Sequence, residues 1–316
     1  MGRLKDYLTE GKILILDGAL GTEIENRGYN ISNKLWSATY LVKNNNIISQ
    51  IHLDYLKAGA DIITTSSYQA TLKGLIQELN FSESKAKDLI ALTVKLAKIA
   101  RDDFWESLDE KHKEKRLYPL IGGDIGPYAA YLADGSEYTG IYPENNIDFK
   151  AFHRERIAIL IENGVDFLII ETIPNQKETI EIIELLEEEF PTIDAYLSLT
   201  LKGPNTITDG TLFTDLIENV NHSSQIVAVG ANCCSPKFIS PTLKKLKPLT
   251  SKPFVIYPNS GETYNGSTKT WSSSSNNYEN FFEEVSNWVH LGTQIVGGCC
   301  RTRPSDIKKI RTNLYL

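Results

Sequence analysis

Eight short apolar runs, spread over the whole chain and separated by turns and helix-like stretches, constrain the fold more than any other feature. They are ILILDGAL (13–20), ADIITTSSY (60–68), PLIGGDIG (119–126), VDFLIIET (165–172), DAYLSLTL (194–201), IVAVGANC (226–233), FVIYPNS (254–260) and TQIVGGCC (293–300). Near-continuous runs of this length suit strands buried on both faces, the environment of a parallel sheet covered by helices. Helical periodicity fills the gaps in SESKAKDLIALTVKLAKIARDDFWESL (82–108), FHRERIAILIENG (152–164) and NQKETIEIIELLEEEF (175–190). The last of these opens just past Pro174 and stops before Pro191, as helix boundaries do. Eight such alternations in 316 residues predict a (β/α)8 TIM barrel forming a single domain over 1–316. A doubly wound open sheet is the alternative, but no GxGxxG follows the first run and eight units exceed what it needs. The SSSSNN patch (272–277) reads as a polar loop.

The polar residues and cysteines that interrupt these runs share one position. Asp17, Tyr68, Asp124, Glu171, Asn232 with Cys233, Asn259, and Cys299 with Cys300 all fall at the C-terminal end of a run. Barrel enzymes build their sites on that face. The net charge of −7 argues against a nucleic acid or an anionic membrane as partner, which leaves small molecules. No apolar run approaches the ~18 residues of a membrane span, and the N-terminus carries early acidic residues in place of a secretory signal. The expected compartment is the cytoplasm, where thiols stay reduced and clustered cysteines serve metals or catalysis.

The chain has only four cysteines, in two adjacent pairs: Cys233 with Cys234, and Cys299 with Cys300. Neighbouring side chains on a regular strand point to opposite faces, but Gly297 and Gly298 let the backbone leave strand geometry before the second pair. Its two thiols can then converge with one from the sixth run. Three thiolates suit Zn2+ and leave the open fourth position that distinguishes catalytic from structural zinc. Spacing does not decide between Cys233 and Cys234 as the third ligand; Cys233, directly after Asn232, is favoured. A metal hydrolase would use histidine and carboxylate ligands, yet all five histidines fall outside the run ends. A thiol-rich zinc or redox protein would show four protein ligands or CxxC, and neither is present.

DGALGTEIENRG (17–28), GDIGPYAAYLADGSEYTG (123–140), ETIPN (171–175), GANC (230–233), YPNSGE (257–262) and GGCCRTRPSDI (297–307) together resemble the homocysteine S-methyltransferase family. The resemblance runs from about residue 10 to residue 311. It implies a (β/α)8 barrel whose zinc is held by Cys233, Cys299 and Cys300, with Cys234 an extra residue. It implies that Asp17 and Glu171 hold the homocysteine amino group and that backbone N–H groups near Gly18 to Leu20 hold its carboxylate, with Asn232 also in the homocysteine site. No catalytic side chain is implied beyond the zinc ligands.

Relatives differ in methyl donor. Cobalamin-dependent synthases carry extra modules, and the betaine-using branch is longer and has a tyrosine after the strand-four glutamate, where this chain has Thr172. The resemblance therefore favours the compact branch that uses S-methylmethionine, with S-adenosylmethionine less readily used. Tyr68, Tyr128, Asn259, Glu262 and Trp271 are donor-site candidates by position, since aromatic faces and acids accommodate a sulfonium cation. Betaine as donor, or a thiol-rich zinc protein without this activity, is the alternative. The oligomeric state stays open, a monomer being compatible.

Overall fold

The computed structural model describes residues 2–144, 146–261, 263–265, 270–272 and 281–315. Eight parallel strands form one sheet: β1 (Leu14–Ile15), β2 (Ile62–Thr64), β3 (Leu120–Ile125), β4 (Phe167–Ile173), β5 (Ala195–Leu199), β6 (Ile226–Asn232), β7 (Phe254–Tyr257) and β8 (Thr293–Val296). They are paired in chain order from β2 to β8, with β8 returning to β1. The last seam, between β1 and β2, is closed by a parallel bridge from Leu16 to Ile62, flanked by Asp61 N donating to Ile15 O at 2.7 Å and Asp17 N to Ile62 O at 3.1 Å. The sheet is a (β/α)8 barrel, as the eight runs predict.

Alternation along each strand separates two apolar cores. Leu14, Ile62, Leu120, Phe167, Tyr196, Ala228, Val255 and Ile295 fill the barrel interior. Their neighbours Ile15, Ile63, Ile121, Leu168, Leu197, Val229, Ile256 and Val296 face the surrounding helices in the larger outer core. Each fully buried aliphatic side chain stabilises the fold by about 1.5–3 kcal/mol before entropy is counted. The outer helices follow the sequence periodicity: Glu83–Ser107 is capped by Ser82, whose hydroxyl accepts from Lys85 N, and Gln176–Glu189 by Asn175, which accepts from Glu178 N. No helix among the described residues is long and apolar enough to cross a membrane.

A short helix absent from the sequence reading, Arg3–Thr9, closes the N-terminal end of the barrel. Its Leu4 and Leu8, one turn apart on one face, join the interior core. At the opposite end the interior positions turn polar. Two residues on from Gly122, Ile169 and Gly230, the same inward parity places Asp124, Glu171 and Asn232. Two short antiparallel hairpins extend this end, Leu201–Gly203 with Thr206–Ile207 and Thr263–Asn265 with Thr270–Ser272. Residues 273–277 of the serine- and asparagine-rich patch, and the candidate Glu262, lie outside the described residues. Trp271 falls within the second hairpin, but its side chain is likewise outside them.

Candidate active site at the barrel mouth

The Sγ atoms of Cys233, Cys299 and Cys300 lie within 4.8 Å of one another, with 3.7 Å between Cys233 and Cys300. Backbone strain produces this convergence. Asn232 faces inward, so uninterrupted alternation would send Cys233 outward and Cys234 inward. Cys233 instead adopts φ 49°, a left-handed conformation uncommon for a residue with a Cβ. The turn brings its thiol to the mouth and sends Cys234 into the outer core, where it is 4% exposed. Burial pushes the Cys234 thiol up to about 12, so it is a packed neutral group.

The glycines before the second pair act through space. Neither has a positive φ, but a Cβ on Gly297 would stand 2.7 Å from Leu16 Cβ, and one on Gly298 2.5 Å from the Thr302 side chain. They let the end of β8 press against the end of β1, which sets Cys299 beside Asp17. Arg301 then turns the chain away at φ 67°. Thr172, following Glu171, is a third left-handed residue at the mouth, at φ 59°. Such strain in a β-branched residue marks a site that the surroundings over-determine.

Asn232 supplies part of that determination. Fully buried, it accepts from Thr172 N at 2.9 Å and Ser198 Oγ at 2.8 Å. Its amide donates to Thr172 Oγ1 at 2.7 Å and toward Cys299 Sγ at 4.0 Å. Asn232 thus fixes the residue after Glu171 and reaches toward one thiol.

Three carboxyls share the mouth with the thiols. Asp17 accepts from Thr64 N at 2.8 Å and Thr64 Oγ1 at 2.9 Å, and burial pushes it up to about 7. Burial, then the neighbouring Cys299, pushes Glu171 up to about 8. Asp124 is driven well above the carboxylate range by burial and by Glu171. The Cys300 sulfur, accepting from Cys233 and Cys299, is pushed well below the ordinary thiol range. Hydrogen bonds to Cys299 and Cys300 push Cys233 well above it. These six acidic groups are more than the mouth can hold fully ionised without a cation.

Of the donor-site candidates, Tyr68 interacts with the thiols: its hydroxyl meets the Thr172 side chain, and its titration is raised by burial and then by Cys233. Tyr128 packs in an aromatic cluster with Tyr131, Tyr142, Phe149 and Phe152. Asn259 is 8% exposed, with Oδ1 accepting no hydrogen bond among the described residues. Both tyrosine loops are held from behind by a buried network that sequence reasoning missed. Arg156 donates to Tyr68 O at 3.0 Å, Gly126 O at 2.6 Å and His153 Nδ1 at 3.0 Å. The opposite nitrogen of His153 therefore carries the proton and donates to Glu178 Oε1 at 2.8 Å. Glu178 in turn accepts from Tyr128 N and from the Tyr142 hydroxyl. The available signal is a histidine and an arginine three residues apart on the apolar face of FHRERIAILIENG. Thr64, which holds Asp17, was also missed, as an ordinary residue of β2.

The family described as homocysteine S-methyltransferase matches residues 14–314. Homocysteine S-methyltransferase 1 of Arabidopsis thaliana is 42% identical, over 98% of this chain and 96% of its own. Homocysteine S-methyltransferase YbgG of Bacillus subtilis is also 42% identical, over 98% and 97%. Among solved structures, the homocysteine methyltransferase MmuM from Escherichia coli superposes in its oxidized form with a TM-score of 0.87, at 37% identity over 99% of both chains. Its metallated form gives 0.85 at 37% identity, over 98% of this chain and 99% of that one. A metallated relative and three converging thiols both point to a metal at the mouth. With this likeness extending across the barrel and its strand-end motifs, the chain belongs to the homocysteine S-methyltransferase family.

Proposed function

We propose that the protein transfers a methyl group from a sulfonium donor, S-methylmethionine before S-adenosylmethionine, to the thiol of homocysteine, forming methionine in the cytoplasm. The observation that carries this reading is the convergence of Cys233, Cys299 and Cys300 at the mouth of a barrel of this family. The donor set fits Zn2+. Two sulfurs each about 2.3 Å from one tetrahedral ion stand roughly 3.8 Å apart, and Cys233 and Cys300 are 3.7 Å apart with their thiols free. Bound there, Zn2+ would supply the Lewis acidity that keeps an acceptor thiol deprotonated at neutral pH.

The chain's own residues do the rest. Asp17 and Glu171 flank the thiols and take the ammonium group of homocysteine, while Asn232 holds Cys299 in place. The helix Leu20–Asn26 begins without a side-chain cap, leaving backbone N–H groups near Gly18 to Leu20 for the carboxylate. Tyr68 borders the donor side beside Cys233, with Tyr128, Asn259, Glu262 and Trp271 as further donor-site candidates by sequence position. In the transfer the S–CH3 bond of the donor breaks with its electron pair going to the donor sulfur. A new S–CH3 bond forms from the acceptor thiolate, whose proton has already passed to solvent. A neutral thioether leaves without a general acid, so the site needs no histidine, and all five histidines sit in helices. Holding two small substrates in line supplies much of the acceleration.

Incubating the purified protein with homocysteine and S-methylmethionine tests this directly. Methionine should form, stop on addition of a strong chelator, and resume with Zn2+; no methionine from any sulfonium donor would remove the reading.

A further inference from the structure

Between the two carboxylates proposed for the acceptor's ammonium group, Asp17 and Glu171, stands a third. Asp124 belongs to β3, which pairs on one side with β2, whose Thr64 holds Asp17, and on the other with β4, which carries Glu171. Strand alternation from Leu120 through Gly122 aims the Asp124 side chain into the mouth, as alternation from Phe167 aims Glu171. The two carboxyls interact side chain to side chain, and Asp17 and Cys299 both act on Asp124 electrostatically.

Asp124 is 2% exposed, and its Oδ1 accepts no hydrogen bond among the described residues. The opposite charge acting on it is Arg156, whose terminal nitrogens are committed to the Tyr68 and Gly126 carbonyls and to His153. An idle buried acceptor facing other acids is costly unless a donor arrives. The carboxyl oxygens do not form one metal's ligand set: among the described residues, only the three cysteines have ligand atoms all within 4.8 Å of one another. A primary ammonium group fits better. It carries one positive charge and three N–H donors on a tripod, and three carboxyls surround the place where it would sit.

We infer that Asp124 is a specificity-determining residue that binds the acceptor's ammonium group together with Asp17 and Glu171. The inference deepens the methyltransfer reading and rests on it. Asp124 discriminates for an α-amino thiol acid against the same thiol acid without the amino group, and it plays no part in holding the metal.

The test compares homocysteine with 4-mercaptobutanoate, its analogue lacking only the amine, using S-methylmethionine as donor. Wild-type protein, Asp124→Ser and the isosteric Asp124→Asn are measured, and zinc content is recorded for each. Losing one charge-assisted hydrogen bond should lower kcat/KM for homocysteine about 10- to 100-fold in Asp124→Ser, mainly through KM. Turnover of 4-mercaptobutanoate and zinc content should stay within about twofold, so that the preference collapses by the same factor. Asp124→Asn, which keeps an acceptor oxygen, should fall between. A preference unchanged in both variants overturns the role of Asp124, as does an equal loss toward both acceptors or loss of zinc in Asp124→Asn. Wild-type protein that makes no methionine overturns the methyltransfer reading and this inference with it.

Discussion

At the N-terminal end of the barrel a buried carboxylate, Asp61, is met by Arg311 at 3.0 Å, Arg116 at 3.6 Å and the Ile15 amide at 3.1 Å. Asp166 repeats the device before β4, taking Arg101 at 3.0 Å and the Ile121 amide at 2.8 Å. At the C-terminal end Asp17, Asp124 and Glu171 form no ion pair with a Lys, Arg or His among the described residues, although Asp17 accepts from the Thr64 amide and hydroxyl, and the Cys299 thiol acts on all three. One fold therefore buries acids in two ways. Where the acid anchors strands to helices, its charge is matched within the chain. Where it lines the mouth, no ion pair within the described residues matches it, the arrangement that the proposed binding of a metal ion and an ammonium group would call for. The unmatched end spends stability on binding, as functional sites do.

The largest effect expected from breaking this contrast is at the thiols. Cys233→Ser, Cys299→Ser or Cys300→Ser should lose zinc and lower methionine formation roughly a thousandfold, the several kcal/mol a metal contributes to charge stabilisation. Metal analysis beside a turnover assay would show it, and a variant that keeps full activity without metal would break the assignment. Next comes the matched end. Asp61→Ala leaves two partly buried guanidinium groups unpaired and should destabilise the fold by about 3 kcal/mol, seen as a lower midpoint in urea. The KM for homocysteine should stay unchanged; a rise would mean that the two ends are coupled.

The sharpest test of the contrast is a change of opposite sign. Glu171→Gln removes an unmatched charge, so it should raise the KM for homocysteine about tenfold while making the ligand-free protein more stable at pH 8. The direction follows from linkage. Burial raises Glu171 to about 8 and Asp17 to about 7, so the folded state holds protons that the unfolded state has released. Wild-type stability is then lost as pH rises from about 4 through 8. Thermal midpoints should fall more steeply over that window in wild type than in Glu171→Gln, and parallel curves would show that these carboxyls are compensated after all. The smallest effect belongs to Cys234→Ser, which places a hydroxyl in the outer core. It should cost about 1 kcal/mol of stability and leave zinc and turnover within about twofold.

Much of this was legible in the sequence because strand runs and their polar ends are local signals. Eight apolar runs announced the barrel, and inward parity carries directly from Phe167 to Glu171. What was not legible depends on contacts between distant segments. The runs overstate strand length, most of all at β1, where ILILDGAL yields Leu14–Ile15 and a bridge at Leu16 before the chain turns into the mouth. The choice between Cys233 and Cys234 follows from one left-handed residue that reverses alternation, which no spacing rule encodes. Gly297 and Gly298 looked like sources of backbone freedom, yet they serve close approach to Leu16 and Thr302. In the sequence Asp124 is only a polar strand end, because its idle oxygen is apparent only when β2, β3 and β4 are assembled.

X-ray absorption at the zinc edge of the reduced protein is the most direct test of the metal centre. The account predicts three sulfur neighbours without acceptor and four once homocysteine is bound. Fewer than three sulfurs, or a count that homocysteine does not change, would contradict it.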